Sequence, residues 1–284
     1  MRRRFSLLFL LGVFLVISSC GPPPAPPAQQ FFTDAKNNLQ ATDYDAALKN
    51  LDKLVAAAEG QPLGQQGVIL RTALYAAVAE GTKAMAEAYA EGWRMARVDH
   101  LQFQKMKLDY YGICRVRLMN AMESVMAQRN KLGEPMALEI AFPDYSGTDP
   151  VALAMIGQGQ YPQDAERFRT EREVERNALA RTLARIAGAG EDVAKGKAAF
   201  EKGSVQIDPR VYLLELSGMF YKLSEIFDRK ALDDPRYRRI SLEVVRDNMD
   251  IVLKMLQSKP DKDLETRAKK LKADCEKELK KLSS

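Results

Sequence analysis

Side chains able to make or break bonds are few and widely spaced in this chain. Cys20 closes the run Ile17-Ser18-Ser19-Cys20, and its thiol can become a thioether, chemistry that no other side chain in that stretch supplies. Cys114 and Cys275 are the other cysteines, both in segments that read as helix. They are either two separate buried thiols or one disulfide, because spacing alone does not bring two Cα atoms within bridging distance. His100 is the only histidine. Multi-histidine metal sites and any histidine acid and base pair are thereby excluded, and His100 reads as a polar surface residue at a helix boundary. Glu171, Glu173 and Glu175 offer carboxylates for acid and base work, yet they lie among Arg167, Arg169, Arg172 and Arg176, the mixture of a solvated helix face. No glycine-rich phosphate loop, Cys-x-x-Cys pair or serine elbow occurs. The sequence therefore calls for no catalytic residue, no metal and no cofactor.

The segment that delivers Cys20 explains its chemistry. Arg2, Arg3 and Arg4 precede an apolar run from Phe5 to Ile17, interrupted only by Ser6 and Gly12, which is the layout of a signal peptide. At about 13 residues the run falls short of the ~20 that cross a bilayer as a helix. A branched apolar residue, two small residues and then cysteine resemble the lipobox of bacterial lipoproteins. That resemblance implies a signal peptide over residues 1–19, a diacylglyceryl group on Cys20, and a stable acyl anchor to the membrane. Gly21 stands where an aspartate commonly retains such proteins in the inner membrane of Gram-negative bacteria. The resemblance thus implies the outer membrane, facing the periplasm. Gly21 to Gln30 carries five prolines. Residues 20–30 read as the lipidated cysteine and a tether that stands the domain roughly 30 Å off the bilayer at ~3.1 Å per residue.

Removing Arg2, Arg3 and Arg4 lowers Lys+Arg from 43 to 40 against 38 Asp+Glu, so a formal charge of +5 falls to about +2. A nearly neutral exported domain is a poor match for nucleic acid. Residues 31–284 are enough for a real hydrophobic core.

Alanine, leucine, glutamate, lysine and arginine dominate, and no stretch sustains apolar and polar alternation, which predicts an all-α fold of antiparallel helical hairpins in a bundle or short solenoid. The spacing predicts helices over 31–40 and 44–59, with Asp43 as N-cap, then 65–98, with Gly81 and Gly92 as kinks or close-packing points. Another runs over 99–131, with Leu101, Leu108, Tyr111, Cys114, Val116, Leu118, Met122 and Val125 supplying apolar faces. Turn residues at 133–147 break the pattern, so a subdivision would fall near 133–162. A short helix follows over 150–156, then a charged one over 164–186 that can turn Phe168, Val174, Leu179, Leu183 and Ile186 inward. A glycine-interrupted stretch occupies 188–203. Asp208-Pro209 and Asp234-Pro235 each read as N-cap plus proline at the first helical position, opening helices to about 230 and 258. The last helix, 261–282, carries a narrow stripe of Leu264, Ala268, Leu271, Cys275, Leu279 and Leu282 suited to docking on the body or on a partner helix.

Tyr44, Ala47, Leu51 and Leu54, with Ala35 and Phe31 or Phe32 before them, resemble the residues of a tetratricopeptide repeat. The match covers residues 31–60, and no second unit with that spacing follows. It implies a TPR-like pair whose role is protein-protein interaction, in line with an envelope protein partner and a non-enzymatic membrane-anchored scaffold. Phe142, Tyr145 and Tyr161 sit in loop stretches and are the candidate partner-binding residues, with folding back onto the core as the alternative. Trp93, Met95 and Tyr89 either line a groove or pack in the core. In length, anchor and alanine-rich helices the chain is also similar to helical lipoproteins of tripartite periplasmic transporters, which implies a ligand-binding cavity as the alternative function. The repeat-bearing lipoprotein of the outer-membrane β-barrel assembly machinery is another relative in plan, although that family carries several successive repeats. A cell-wall hydrolase acting through one glutamate is the third reading.

Overall fold

The structure is a computed structural model that describes residues 27–283. The signal peptide, Cys20 and the tether as far as Pro26 lie outside the described residues. The elements run α1 (Pro27–Gln40), α2 (Tyr44–Ala57), α3 (Pro62–Met95), α4 (His100–Met126), β1 (Met136–Leu138), α5 (Val151–Gly157), α6 (Asp164–Ile186), α7 (Val193–Phe200), β2 (Val205–Ile207), α8 (Pro209–Leu223), a 3-10 turn (Ser224–Phe227), α9 (Pro235–Ser258) and α10 (Lys262–Lys281). The described chain is an all-α bundle with one very small sheet.

Alanine makes α3 the axis of the bundle. Its small side chains favour helix and let neighbours approach from several sides, so α3 packs against α2, α4, α5, α6 and α8. The approach is closest at its glycines. A Cβ at Gly92 would collide with the Ile156 carbonyl oxygen and the Phe103 ring, and one at Gly81 would lie 3.0 Å from the Glu175 Cα. Both are close-packing points, as their spacing suggested.

The α1–α2 hairpin forms where predicted. Asp43 caps α2 by accepting from the Ala46 N–H at 3.1 Å, and Tyr44, Ala47, Leu51 and Leu54 are buried along one face. The start of α1 corrects the expected tether. The helix begins at Pro27 rather than Phe31, so residues 27–30, assigned to the spacer, belong to the helical domain. Proline at the first helical position lacks only an N–H that would have no partner there, and its fixed φ suits the first turn.

Two further expectations are corrected. Phe103, Tyr110, Tyr111, Cys114, Leu118, Met122 and Val125 form the buried stripe of α4, while Leu101, Leu108 and Val116 fall on the opposite face and are exposed. Phe168 likewise points outward from α6. The glycine-interrupted stretch contains α7, capped by Asp192 accepting from the Lys195 N–H at 2.9 Å. Beside it β2 pairs antiparallel with β1, in the register Met136↔Ile207 and Leu138↔Val205.

Asp208 and Asp234 cap α8 and α9 as their Asp-Pro steps predict. The α10 stripe docks on the body, against α9 and α8, with Leu264, Ala268 and Cys275 buried. Cys114 and Cys275 are both free and buried. The Cys114 thiol donates to the Ala79 carbonyl at 3.2 Å between α3 and α4, while Cys275 lies on α10, which packs against α9 and α8. Burial pushes each thiol up to about 12, so neither is a ready nucleophile. No described helix is long and apolar enough to cross a membrane.

Candidate functional site

The three aromatics singled out in the loops part company. Tyr161 is half-buried in a ring cluster at the far end of α3, 5.4 Å from Phe103 edge-on and 6.1 Å from Tyr89. Phe142 is half-buried against Phe200, with ring centroids 5.5 Å apart. Tyr145 is exposed. Tyr89 is fully buried and stacks on Tyr110, whereas Trp93 and Met95 from the same helix face solvent.

Those last two belong to a larger apolar tip. The turn joining α3 to α4 exposes Trp93 (38%), Met95 (60%), Val98 (68%) and Leu101 (80%) within nine residues of sequence. Gly92 and Phe103 hold the turn by packing inward on either side of it. The tip lies far from the chain's entry into the fold. Lys53 sits over the Phe31 ring, and the next residue, Leu54, packs on Gly67, so the start of α1 is level with the start of α3. At 1.5 Å per residue the tip is about 40 Å away along the α3 axis.

Two concavities flank the helices. The larger is an open cleft of about 910 Å³ between α3, α6, α8 and α10. Its walls are charged, and most of the charges answer one another, although Asp149, Lys222, Lys270 and Asp274 on the same walls have no ion pair among the described residues. Glu80 accepts from Arg181 at 3.1 Å and Arg185 at 2.7 Å, Arg185 also holds Glu191 at 3.1 Å, Lys83 reaches Glu225 at 3.1 Å, and Arg267 pairs with Glu215. Burial pulls the Arg185 pKa down, yet Glu80 and Glu191 hold it above its ordinary value.

The smaller is a groove of about 540 Å³ between the end of α1, the middle of α6 and the chain leaving β1. Phe142, Leu179 and Leu183 are among its apolar lining, and Lys36, Asn37, Gln40, Asp144 and Arg176 among its polar lining. Here the charges have no answer. Among the described residues neither Lys36 nor Arg176 has a carboxylate within 4.0 Å, and the shielded Nε–H of Arg176 finds no acceptor. One wall is unusual. From Glu139 to Ser146 the chain runs on without turn or bend, and the backbone groups of residues 140–145 make no hydrogen bond with any described residue.

The α6 carboxylates also depart from the solvated face that their spacing suggested. Tyr44 and Asp45, at the start of α2, approach this part of α6, and Gly81 presses on it from α3. Burial, then the nearby Glu171 and Asp45 charges, push Glu175 up to about 8. Burial raises Glu171 as well, against the hydrogen bond from the Tyr110 hydroxyl at 3.3 Å that favours its ionised form. Glu175 lines neither the cleft nor the groove.

Sequence reasoning reached Phe142 and Trp93 through their residue type. It missed Arg176, whose distinction is the lack of a carboxylate partner, and it listed Leu101 among the apolar faces of its helix without separating the buried stripe from the exposed one. The turn at 96–99 with apolar residues on both sides was the available signal for the tip. No family model, curated protein or solved structure matches the chain.

Proposed function

We propose that the protein is a lipid-anchored scaffold of the bacterial envelope, tethered through Cys20 and engaging another envelope protein with the α3–α4 tip. The observation that carries this reading is the exposure of Trp93, Met95, Val98 and Leu101 at the α3–α4 tip, far along α3 from the start of α1. Grouped large apolar side chains, one of them tryptophan, are the usual makings of an interaction hot spot. The lipobox supplies the membrane end. With α1 starting at Pro27, six residues separate Cys20 from the fold, a reach of about 19 Å as polyproline II. The tip then stands clear of the anchoring bilayer, where a partner rather than lipid meets it.

Crosslinking in intact cells followed by affinity capture tests the proposal. Wild-type protein should yield one defined partner in reciprocal pull-downs, and Trp93→Ser with Leu101→Ser should lose it without loss of expression. Recovery of the monomer alone from wild-type cells contradicts the reading.

A small-molecule carrier is the second reading, because about 910 Å³ falls in the range of ligand sites. The cleft supports it less well, since Glu80, Arg181, Arg185, Glu191, Glu215, Glu225, Lys83 and Arg267 are already paired with one another on its walls. A small molecule retained in native mass spectrometry would favour the carrier.

A further inference from the structure

We infer that the groove between α1, α6 and the run from Glu139 to Ser146 binds an extended peptide segment carrying an acidic side chain. The inference does not rest on the scaffold reading, which concerns the α3–α4 tip.

The backbone comes first. A run whose N–H and C=O groups pair with no other strand is a template to which a further strand adds. Residues 140–145 form such a run two residues beyond the end of the β1–β2 ladder at Leu138, with Pro143 offering a carbonyl but no N–H. Strand addition takes its affinity from main-chain hydrogen bonds and its selectivity from side-chain pockets beside the run.

The pocket beside this run selects charge. Lys36, which lies 4.7 Å over the Phe32 ring, and Arg176 bring two positive charges to its walls, neither with a carboxylate within 4.0 Å among the described residues, against the single acid Asp144. Carboxylate fits best, because guanidinium and carboxylate present matching forks. Asp144, the one acid on the walls, opposes polyanions such as phosphates and nucleic acid, but it accepts readily from a peptide N–H. Asn37 and Gln40 add amides that can follow a peptide backbone, and Phe142, Leu179 and Leu183 give the stems of its side chains an apolar bed.

Fluorescence anisotropy on the acylated mature protein in nanodiscs tests this. The probes are two rhodamine-labelled nonapeptides of alternating valine and threonine, blocked at both ends, with either one central glutamate or one central glutamine. The glutamate peptide should bind at least fivefold more tightly. Arg176→Gln should bring that ratio to about one, Lys36→Gln should reduce it, and 0.5 M salt should narrow it. Arg176→Lys, which keeps the charge and loses the fork, should give an intermediate ratio and serves if Arg176→Gln fails to fold. Free acetate should compete at least 100-fold less well than the glutamate peptide, which separates a peptide site from a site for small acids. Equal binding of the two peptides, an unchanged ratio in both Arg176 variants, acetate competing as well as peptide, or no binding of either at millimolar concentration would each overturn the inference.

Discussion

The cleft and the groove are built from the same kinds of side chain, and they differ in where the opposite charges come from. In the cleft, α3 supplies Glu80 and α6 supplies Arg181 and Arg185, so the charge pairs tie elements of one chain together. In the groove, α1 supplies Lys36 and α6 supplies Arg176, two like charges with no carboxylate within 4.0 Å among the described residues. Charged walls therefore mark neither a binding site nor a structural brace. What separates the two is whether the arginines of α6 already have partners: Arg181 and Arg185 hold Glu80 in the cleft, whereas Arg176 in the groove holds no carboxylate.

This contrast breaks most readily at Glu80. Replacing it with alanine leaves Arg181 without its carboxylate and deprives Arg185 of one of two, in a cleft where the three side chains are only 11–24% exposed. Stability should fall by roughly 2–3 kcal/mol, read from the urea midpoint. Arg176→Gln in the groove should change it by less than about 0.5 kcal/mol, since no internal bond is lost. Equal losses at the two sites would erase the distinction.

A smaller effect tests the packing beside the groove. Glu175 keeps its proton in the folded protein up to about pH 8, whereas an ordinary glutamate releases it near pH 4.5. Folding binds this proton more tightly than the unfolded chain does, so the group's contribution is most favourable below pH 4.5. It becomes less favourable as pH rises to about 8 and is level above that. Glu175→Gln should accordingly leave stability nearly unchanged at pH 4.5 and raise it by roughly 1–2 kcal/mol at pH 9, as a pH series of thermal melts would show. An unchanged slope between pH 5 and 8 would place Glu175 in contact with water.

Least costly should be the tip. Met95→Ser and Leu101→Ser remove side chains that are 60% and 80% exposed, so each should shift stability by under about 0.5 kcal/mol. A loss above 2 kcal/mol in calorimetry would make the tip part of the core.

The helices were legible where periodicity and capping agree. Asp43 before Tyr44, Asp208 before Pro209 and Asp234 before Pro235 all cap where their residue types say, and the α10 stripe meets the body. The three-residue strands were not, because three residues are too few to display alternation. The faces of α4 were misjudged for a different reason. Leu101 and Leu108 repeat every seven residues, as Phe103 and Tyr110 do, and which of two parallel stripes turns inward depends on what α3 presents. The groove was half legible. Phe142 drew attention as a loop aromatic, but Arg176 sits in a run of mixed charge, and only folding shows which arginine has no acid beside it.

The most direct measurement is a photoreactive side chain placed in turn at Met95 in the tip, Asn37 in the groove and Lys270 in the cleft, with crosslinking in living cells. The account predicts adducts to another protein from Met95 and Asn37 and none from Lys270. Adducts from Lys270 alone, or none from any position, would contradict it.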